Sequence, residues 1–329
     1  MPARDDAFVV LTSADVYDSF KNQLRELGDP RCEWLRVDFT SPPDNLSELL
    51  ARADCVISRV DLTDDQYRRA PRLKLFQLPI AGYEQIDLAR AARHGVIVAN
   101  NGGSNAVSVA EHVFLLALTL FRHQRFHHAT VVDGSWVTRK HENIELLDKT
   151  MGIVGLGHVG RAVAVRASAF GMRVLYDDIR PADPEFVRAH ALEACPFEHL
   201  VRASDVLTLH VPLTSRTRHM INRDSLGWMK PTAVLINAAR GGIVDEEALY
   251  EALTERRLRG AGLDVFEEEP PRRDSLLLAL DNVALSPHAG PSHESRFRMV
   301  QHVAANVARA ARGEPPLYGV VDYGPEGGE

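Results

Sequence analysis

The sequence predicts an α/β protein of two doubly wound parallel-sheet domains, one inserted into the other. Three observations lead there. Strand-like and helix-like segments alternate from Phe8 to Ala99 and again from Met151 to Leu285, a pattern that builds parallel sheets covered on both faces. In the second series Gly155-Leu-Gly-His-Val-Gly160 falls between a strand and a helix. Two long apolar helices, 108–121 and 292–312, bracket that series, so the chain leaves one domain through the first and returns to it by the second. The expected division is a discontinuous domain, 1–105 plus 291–329, around an inserted domain, 106–290. A cleft between them, hinged at the bracketing helices, is where a ligand is expected.

Bulk properties agree. A chain of 329 residues can build two domains with their own cores. With 45% hydrophobic and 25% charged residues it is globular in composition. A net charge of −7 and a pI near 6.1 argue against a nucleic-acid partner. Cys32, Cys55 and Cys195 are far apart and form no C-x-x-C, so neither a disulfide framework nor a metal site is expected. Free thiols suit the reducing cytoplasm, the expected location. Met1–Asp6 is charged and too short for a signal peptide, and the apolar run from Val113 to Phe121 is too short to span a membrane.

In the first domain, Phe8–Leu11 reads as a strand and Val16–Leu27 as a helix stopped near Gly28. Strand Cys55–Ile57, helix Thr63–Ala70, strand Leu73–Leu78, helix Ile86–His94 and strand Val96–Ala99 follow. Ligands of such sheets gather at the C-terminal ends of strands. There Arg59 suits a distal anionic group of a substrate, and the turn at Ala81-Gly82 offers backbone N–H groups to an anion. Ser108-Val-Ala-Glu111 matches a capping box, so the next helix is expected over Val109–Phe121. The basic, His-rich segment Arg122–Lys140 reads as an arm packed on a second subunit, making 106–140 the expected homodimer surface.

The inserted domain opens on strand Met151–Val154, the glycine turn, helix Arg161–Phe170 and strand Val174–Tyr176, which ends on Asp177. This order is a Rossmann dinucleotide-binding unit with physical reasons for each part. The first glycine permits the tight turn, the second lets a pyrophosphate approach the backbone, and the third lets helix and strand pack closely. The helix N-terminus favours the phosphates. Asp177, 20 residues past Gly157, suits a ribose 2′-OH and repels a 2′-phosphate, so NAD (NADH) is expected and NADP, tolerable to Arg180, is disfavoured. Further strands are expected over Val206–His210, Ala233–Ile236, Ala261–Val265 and Val283–Leu285. Helices are expected over Pro196–Ala203, Asp224–Met229, about 245–257, and 292–312.

Arg240, Glu269 and His288 then stand at strand ends on the edge that carries the glycine turn. Singly, each has a structural reading: a capping arginine, a solvated acidic loop, a core histidine. Beside a dinucleotide they suit hydride chemistry at an oxygen-bearing carbon. Arginine offers a fork to a carboxylate. Histidine moves a proton near neutral pH, and a carboxylate orients it and raises its pKa.

The chain resembles the D-isomer-specific 2-hydroxyacid dehydrogenase family from about Leu73 to Pro316. The resemblance rests on Val154-Gly-Leu-Gly-His-Val-Gly160, His210-Val-Pro-Leu-Thr214, Ile236-Asn-Ala-Ala-Arg-Gly-Gly-Ile-Val-Asp245, Gly262-Leu-Asp-Val-Phe-Glu-Glu-Glu-Pro270, Ser286-Pro-His288 and Val109-Ala-Glu-His112. It implies a Rossmann NAD-binding domain inserted into a flavodoxin-like substrate domain. It implies Arg240 as substrate binder, Glu269 as the histidine's partner and His288 as proton donor in interconverting a 2-oxo acid and its D-2-hydroxy acid. The implied cofactor set is Gly155, Gly157, His158, Val159, Gly160, Asp177, Val211, Pro212, Thr217, Ala238, Gly290 and Asp264, the last on the carboxamide side of the nicotinamide. Arg59, Ala81 and Gly82 match substrate-binding positions. The chain departs from relatives at Ala289-Gly-Pro291 and at Pro79-Ile-Ala-Gly82, so two alternatives stay open: a phosphite or phosphonate dehydrogenase, and a non-catalytic NADH-sensing dimer. Glu269, a glutamine in formate dehydrogenases, argues against formate.

Overall fold

The computed structural model describes residues 7–320. The reading of Met1–Asp6, and the end of the 291–329 segment, lie outside the described residues. The chain separates into two compact units, one holding the chain up to Ser104 and from His293 onward, the other Asn105–Ser292.

The first unit has a parallel sheet of β1 (Phe8–Ser13), β2 (Cys32–Val37), β3 (Cys55–Ile57), β4 (Leu75–Gln77) and β5 (Ile97–Ala99) in the order β2-β1-β3-β4-β5. This is the flavodoxin-like order. Successive residues feed opposite cores, as the two-residue period of a strand requires. Val9, Leu11, Val56 and Phe76 face one layer, while Phe8, Val10, Ile57 and Leu75 face the other. Helix His293–Ala311 closes the second layer with Val300, Val303, Val307 and Ala310 on one stripe. Its buried Asn306 donates to Gln77 Oε1 at 2.8 Å and accepts the Leu317 N–H at 2.8 Å.

The second unit has seven parallel strands: β6 (Thr150–Val154), β7 (Arg173–Asp177), β8 (Leu192–Ala194), β9 (Val206–Leu209), β10 (Val234–Asn237), β11 (Gly260–Leu263) and β12 (Val283–Leu285). Their order is β12-β11-β10-β9-β6-β7-β8. The order reverses between β6 and β9, the switch point where such sheets bind ligands. The register is flush there. Val154 pairs with both Asp177 and Leu209, Leu209 with Asn237, Asn237 with Leu263, and Leu263 with Leu285. Six strands therefore end at one level, and the loops that follow start from one edge. Helix Ala106–Phe121 covers one face with Val113, Leu116, Ala117 and Leu120.

Several expected elements shift. The helix after the glycine turn begins at His158, not Arg161, because Gly157 is its N-cap and the Arg161 N–H already reaches the Gly157 carbonyl. Ser108 and Glu111 form no capping box. The helix starts at Ala106, the Ser108 hydroxyl donates back to the Asn105 carbonyl, and Glu111 pairs with Arg166 at 2.9 Å. The basic segment contains a helix, Gln124–Val132, and Arg125 anchors it to the Val283 carbonyl of its own unit at 3.0 Å. Strand β2, β8 and helices Leu46–Arg52 and Pro184–Ala189 had no strong sequence signal.

His210, just past β9, hydrogen-bonds the Thr208 hydroxyl at 3.0 Å, and desolvation holds its imidazole down to about 3. A folded value below the unfolded one makes the unfolded chain bind the extra proton first. Stability is therefore full above about pH 6.5 and falls with acidity until about pH 3. The residue as a whole keeps some solvent contact, which trims the effect, so about 1–2 kcal/mol is expected to be lost between pH 7 and pH 5. Urea unfolding at both pH values should show that loss in the parent and not in His210→Gln; equal losses would remove His210 from the account.

Candidate active site

The glycine turn is shaped by backbone contacts on one side and open on the other. Gly155 has φ +91°, and a Cβ there would lie 2.7 Å from the His210 carbonyl oxygen. A Cβ on Gly160 would lie 2.1 Å from the Gly155 oxygen, so turn and helix touch backbone to backbone. A Cβ on Gly157 would meet no protein atom within 4 Å. Packing therefore explains the outer two glycines, and an open cradle at a helix N-terminus is left at the middle one. His158 and Val159, in the first helical turn, keep solvent contact. This arrangement fits a pyrophosphate.

The acid that reaches this turn is Asp178, not Asp177. Asp178 Oδ2 accepts the Leu156 N–H at 2.6 Å, and Oδ1 accepts the Arg180 N–H at 2.8 Å. Asp177 contributes its carbonyl to the Gly155 N–H at 2.8 Å. Its carboxyl is raised by burial first and by Asp178 second. Neighbouring residues at a strand end point to opposite sides, so of the two adjacent acids one meets the Leu156 amide and the other does not. Both acids line a concavity of about 370 Å³ with Ile179, Arg180, Cys195 and Pro196. Across the switch point, the Thr217 hydroxyl donates to the Pro212 carbonyl at 2.6 Å and accepts the Thr214 N–H at 2.8 Å. Thr217 thus shapes the loop that presents Val211 and Pro212, the latter exposed. Ala238 is half-buried against the core beneath β10.

Arg240, Glu269 and His288 follow β10, β11 and β12, three neighbours in the sheet. The Asn237 side chain folds the first loop, donating to the Arg240 carbonyl at 2.9 Å and accepting the Ala239 N–H at 3.1 Å. Arg240 Nη1 donates to the Ala239 carbonyl at 2.6 Å. Glu269 Oε2 meets His288 Nδ1 at 2.8 Å, while Oε1 accepts the Phe266 N–H at 3.2 Å. Nδ1 thus carries its proton toward Glu269, which leaves Nε2 for another partner. His288 and Glu269 side chains are 47% and 40% exposed, so the pair is reachable.

His288 stands at φ +54°, in the left-handed region, at a cost of about 1–3 kcal/mol for such a residue. Asp264 holds it there. The Asp264 carbonyl accepts the His288 N–H at 2.8 Å. Its carboxylate, 2% exposed, accepts the Ser286 hydroxyl at 2.6 Å and the N–H groups of Ala289 and Gly290 at 2.8 and 2.9 Å. His112 Nε2 lies 3.2 Å from the same carboxylate. Burial pushes this carboxyl up, but bonds from His112, Ser286, Ala289 and Gly290 outweigh it and leave it at about 2. Asp264 and Gly290, expected to touch the cofactor, here bind each other and fix the histidine loop.

In the first unit, Arg59 follows β3 and lies 3.7 Å from Asp15, both over half exposed. The turn after β4 is held from behind. Asn101 bonds the Pro79 carbonyl through Nδ2 and the Ile80 carbonyl through its N–H, at 3.1 and 3.0 Å. Asn100 Nδ2 donates to the Ala81 carbonyl at 2.7 Å. A carbonyl and the next N–H share one rigid peptide plane and point opposite ways. Pinning the Ile80 and Ala81 oxygens therefore turns the Ala81 and Gly82 N–H groups outward. Neither N–H has an acceptor among the described residues. Sequence reasoning missed Asn100, Asn101 and Asp178; the paired asparagines at a strand end and the doubled acid were the available signals.

Comparison with known proteins agrees with this geometry. Residues 114–290 match the family model for the NAD binding domain of D-isomer specific 2-hydroxyacid dehydrogenases. A glyoxylate reductase of Korarchaeum cryptofilum is 41% identical over 288 residues, 84% of this chain and 86% of that protein. A D-3-phosphoglycerate dehydrogenase of Methanocaldococcus jannaschii is 39% identical over 310 residues, 93% of this chain but 58% of that longer protein. The crystal structure of D-lactate dehydrogenase with NAD+ from Lactobacillus jensenii superposes with a TM-score of 0.79 at 26% identity, covering 96% of this chain and all of that one. With its glycine turn, its flush sheet edge and these relatives, the chain belongs to the D-isomer specific 2-hydroxyacid dehydrogenase family.

Proposed function

We propose that the chain is an NAD-dependent oxidoreductase that interconverts a 2-oxo acid and its D-2-hydroxy acid, with His288 as proton donor. The observation that carries this reading is the 2.8 Å bond between His288 Nδ1 and Glu269 on the sheet edge that bears the glycine turn. Bound NAD(H) supplies or takes the hydride. The chain's residues do the rest. The Gly155–Gly160 turn and the N-terminus of helix His158–Ala169 suit the pyrophosphate. Asp178 suits the ribose hydroxyls, and its charge opposes a 2′-phosphate. Arg240 offers its fork to the substrate's carboxylate and carbonyl oxygen. Glu269 fixes the ring through Nδ1, which leaves Nε2–H to protonate the oxygen as the carbonyl is reduced. The outward N–H groups of Ala81 and Gly82 suit a carboxylate, and Arg59 suits a second anionic group. The relatives above are named for glyoxylate, phosphoglycerate and lactate chemistry, and nothing at the site favours a phosphonate enzyme or a silent NADH sensor.

We further propose a homodimer through 106–140, supported by the exposed Leu115, Val131, Val132 and Trp136. Among the described residues no single helix is long and apolar enough to cross a membrane. The three unbridged thiols suit the cytoplasm.

NADH oxidation followed at 340 nm with a panel of 2-oxo acids tests the function; no turnover with any of them would overturn it. His288→Asn is expected to lower kcat by about a thousandfold or more while NADH binds within a few-fold of the parent. Asparagine is the right probe because it tolerates the left-handed backbone. Asp178→Asn should raise kcat/KM with NADPH by about tenfold, and Asp177→Asn should do so less; the reverse order would return the ribose role to Asp177. Asn100→Ala, which frees the Ala81 carbonyl, should raise the KM of the 2-oxo acid about five- to tenfold with NADH affinity unchanged; an unaltered KM would dissociate that loop from substrate binding.

A further inference from the structure

The network behind the histidine loop contains a side chain that the reaction itself does not use. His112 sits on helix Ala106–Phe121, and its side chain is 11% exposed. Its Nε2 lies 2.7 Å from the Ser286 hydroxyl and 3.2 Å from Asp264 Oδ1. The hydroxyl lies 2.6 Å from the same Oδ1. The protons can be assigned. Asp264 is held ionised, so it only accepts, and a separation of 2.6 Å needs a proton, which the Ser286 hydroxyl supplies. That hydroxyl has no second proton, so toward His112 it offers lone pairs alone. His112 must therefore carry its proton on Nε2 and donate it to both oxygens.

We propose that His112 is a positioning residue for His288, acting through Ser286 and Asp264 rather than by touching substrate or cofactor. Helix Ala106–Phe121 is packed on the sheet by its apolar faces, so it is a fixed post. His112 ties the loop to that post. Asp264, so oriented, accepts from the backbone on the C-terminal side of His288 and, through its own carbonyl, from the His288 N–H. These bonds hold the imidazole in a backbone conformation it would not choose alone. Without the donor on Nε2, Ser286 and Asp264 lose the bond that fixes them to the helix, and the loop from Ser286 to Gly290 gains freedom. A small misplacement of a proton donor is enough to slow proton transfer.

The activity part of this inference rests on the function proposed above; the structural part does not. His112→Leu removes the donor, and His112→Gln keeps one at a similar reach. In the cofactor-free protein, amide hydrogen exchange at Ala289 and Gly290 should quicken about tenfold in His112→Leu and stay parental in His112→Gln. With NADH and the 2-oxo acid that the parent reduces, kcat should fall about 10- to 100-fold in His112→Leu, while KM and NADH affinity stay within about threefold. His112→Gln should recover most of the lost kcat. If His112→Leu does not fold, Ser286→Ala breaks the same chain of bonds and is read by the same two measurements. Parental exchange and parental kcat in the donor-less variant would overturn the proposal. So would a glutamine variant no better than leucine, since that outcome means His112 only fills space. A parent that turns over no 2-oxo acid defeats the proposed function, and the exchange at Ala289 and Gly290 still decides the role of His112.

Discussion

One buried carboxylate holds the His288 loop together. Asp264 is almost wholly removed from water, a placement that costs several kcal/mol for an unpaired charge. It persists as an anion because a hydroxyl, an imidazole and two backbone amides converge on it. Charge-assisted bonds of this kind are about twice as strong as neutral ones. Their geometry matters as much as their energy. Every donor except His112 comes from Ser286–Gly290, so satisfying the carboxylate and shaping the histidine loop are the same event. The left-handed backbone of His288 is stable only because the residues on both sides are committed to Asp264.

The first unit solves a similar problem with neutral groups. The turn after β4 must show its N–H groups outward, so its carbonyls must be satisfied from within. Asn100 and Asn101 do this, and Gln77, buried on the preceding strand, donates to the Leu78 and Asn100 carbonyls. Asn306 in turn satisfies Gln77 from the returning helix. This gives the chain's excursion and return a local physical meaning: the segment beyond His293 is needed to complete a polar network begun before residue 105. Apolar packing alone could cover that sheet face, but it could not fix the orientation of peptide planes at the sheet edge.

Much of this was legible in the sequence because it follows from period and punctuation. Buried parallel strands read as short apolar runs, and the three glycines announce a turn in which backbone atoms leave no room for a Cβ at Gly155 and Gly160. The parts that were not legible depend on direction. Asp177 and Asp178 are adjacent acids, and only the backbone decides which one faces the glycine turn. Ser108 and Glu111 have the spacing of a capping box, but the chain enters the helix three residues earlier, stranding the motif inside its first two turns. β2 is an edge strand of six residues interrupted by Glu33 and Arg36, so its apolar signal was diluted. Asp264 could be assigned to a cofactor by resemblance, yet its donors come from two distant stretches of chain, His112 and Ser286–Gly290, and no linear pattern joins them.

The charge balance of the molecule follows from the same economy. A protein of net charge −7 is expected to repel an anionic cofactor and an anionic substrate. At physiological salt, however, charges more than about 8 Å apart are largely screened. What counts is the field within one or two side-chain lengths. In the second unit the helix N-terminus after Gly157 and the guanidinium of Arg240 present positive ends, and in the first unit the N–H groups of Ala81 and Gly82 do so; all but the guanidinium are backbone dipoles that add nothing to the net charge. The nearby carboxylates have donors of their own: Asp264 the groups that converge on it, Glu269 the His288 ring, and Asp178 the Leu156 amide. An acidic chain can therefore present positive ends locally without changing its net charge, because those ends are oriented peptide groups held in place by the buried side chains behind them.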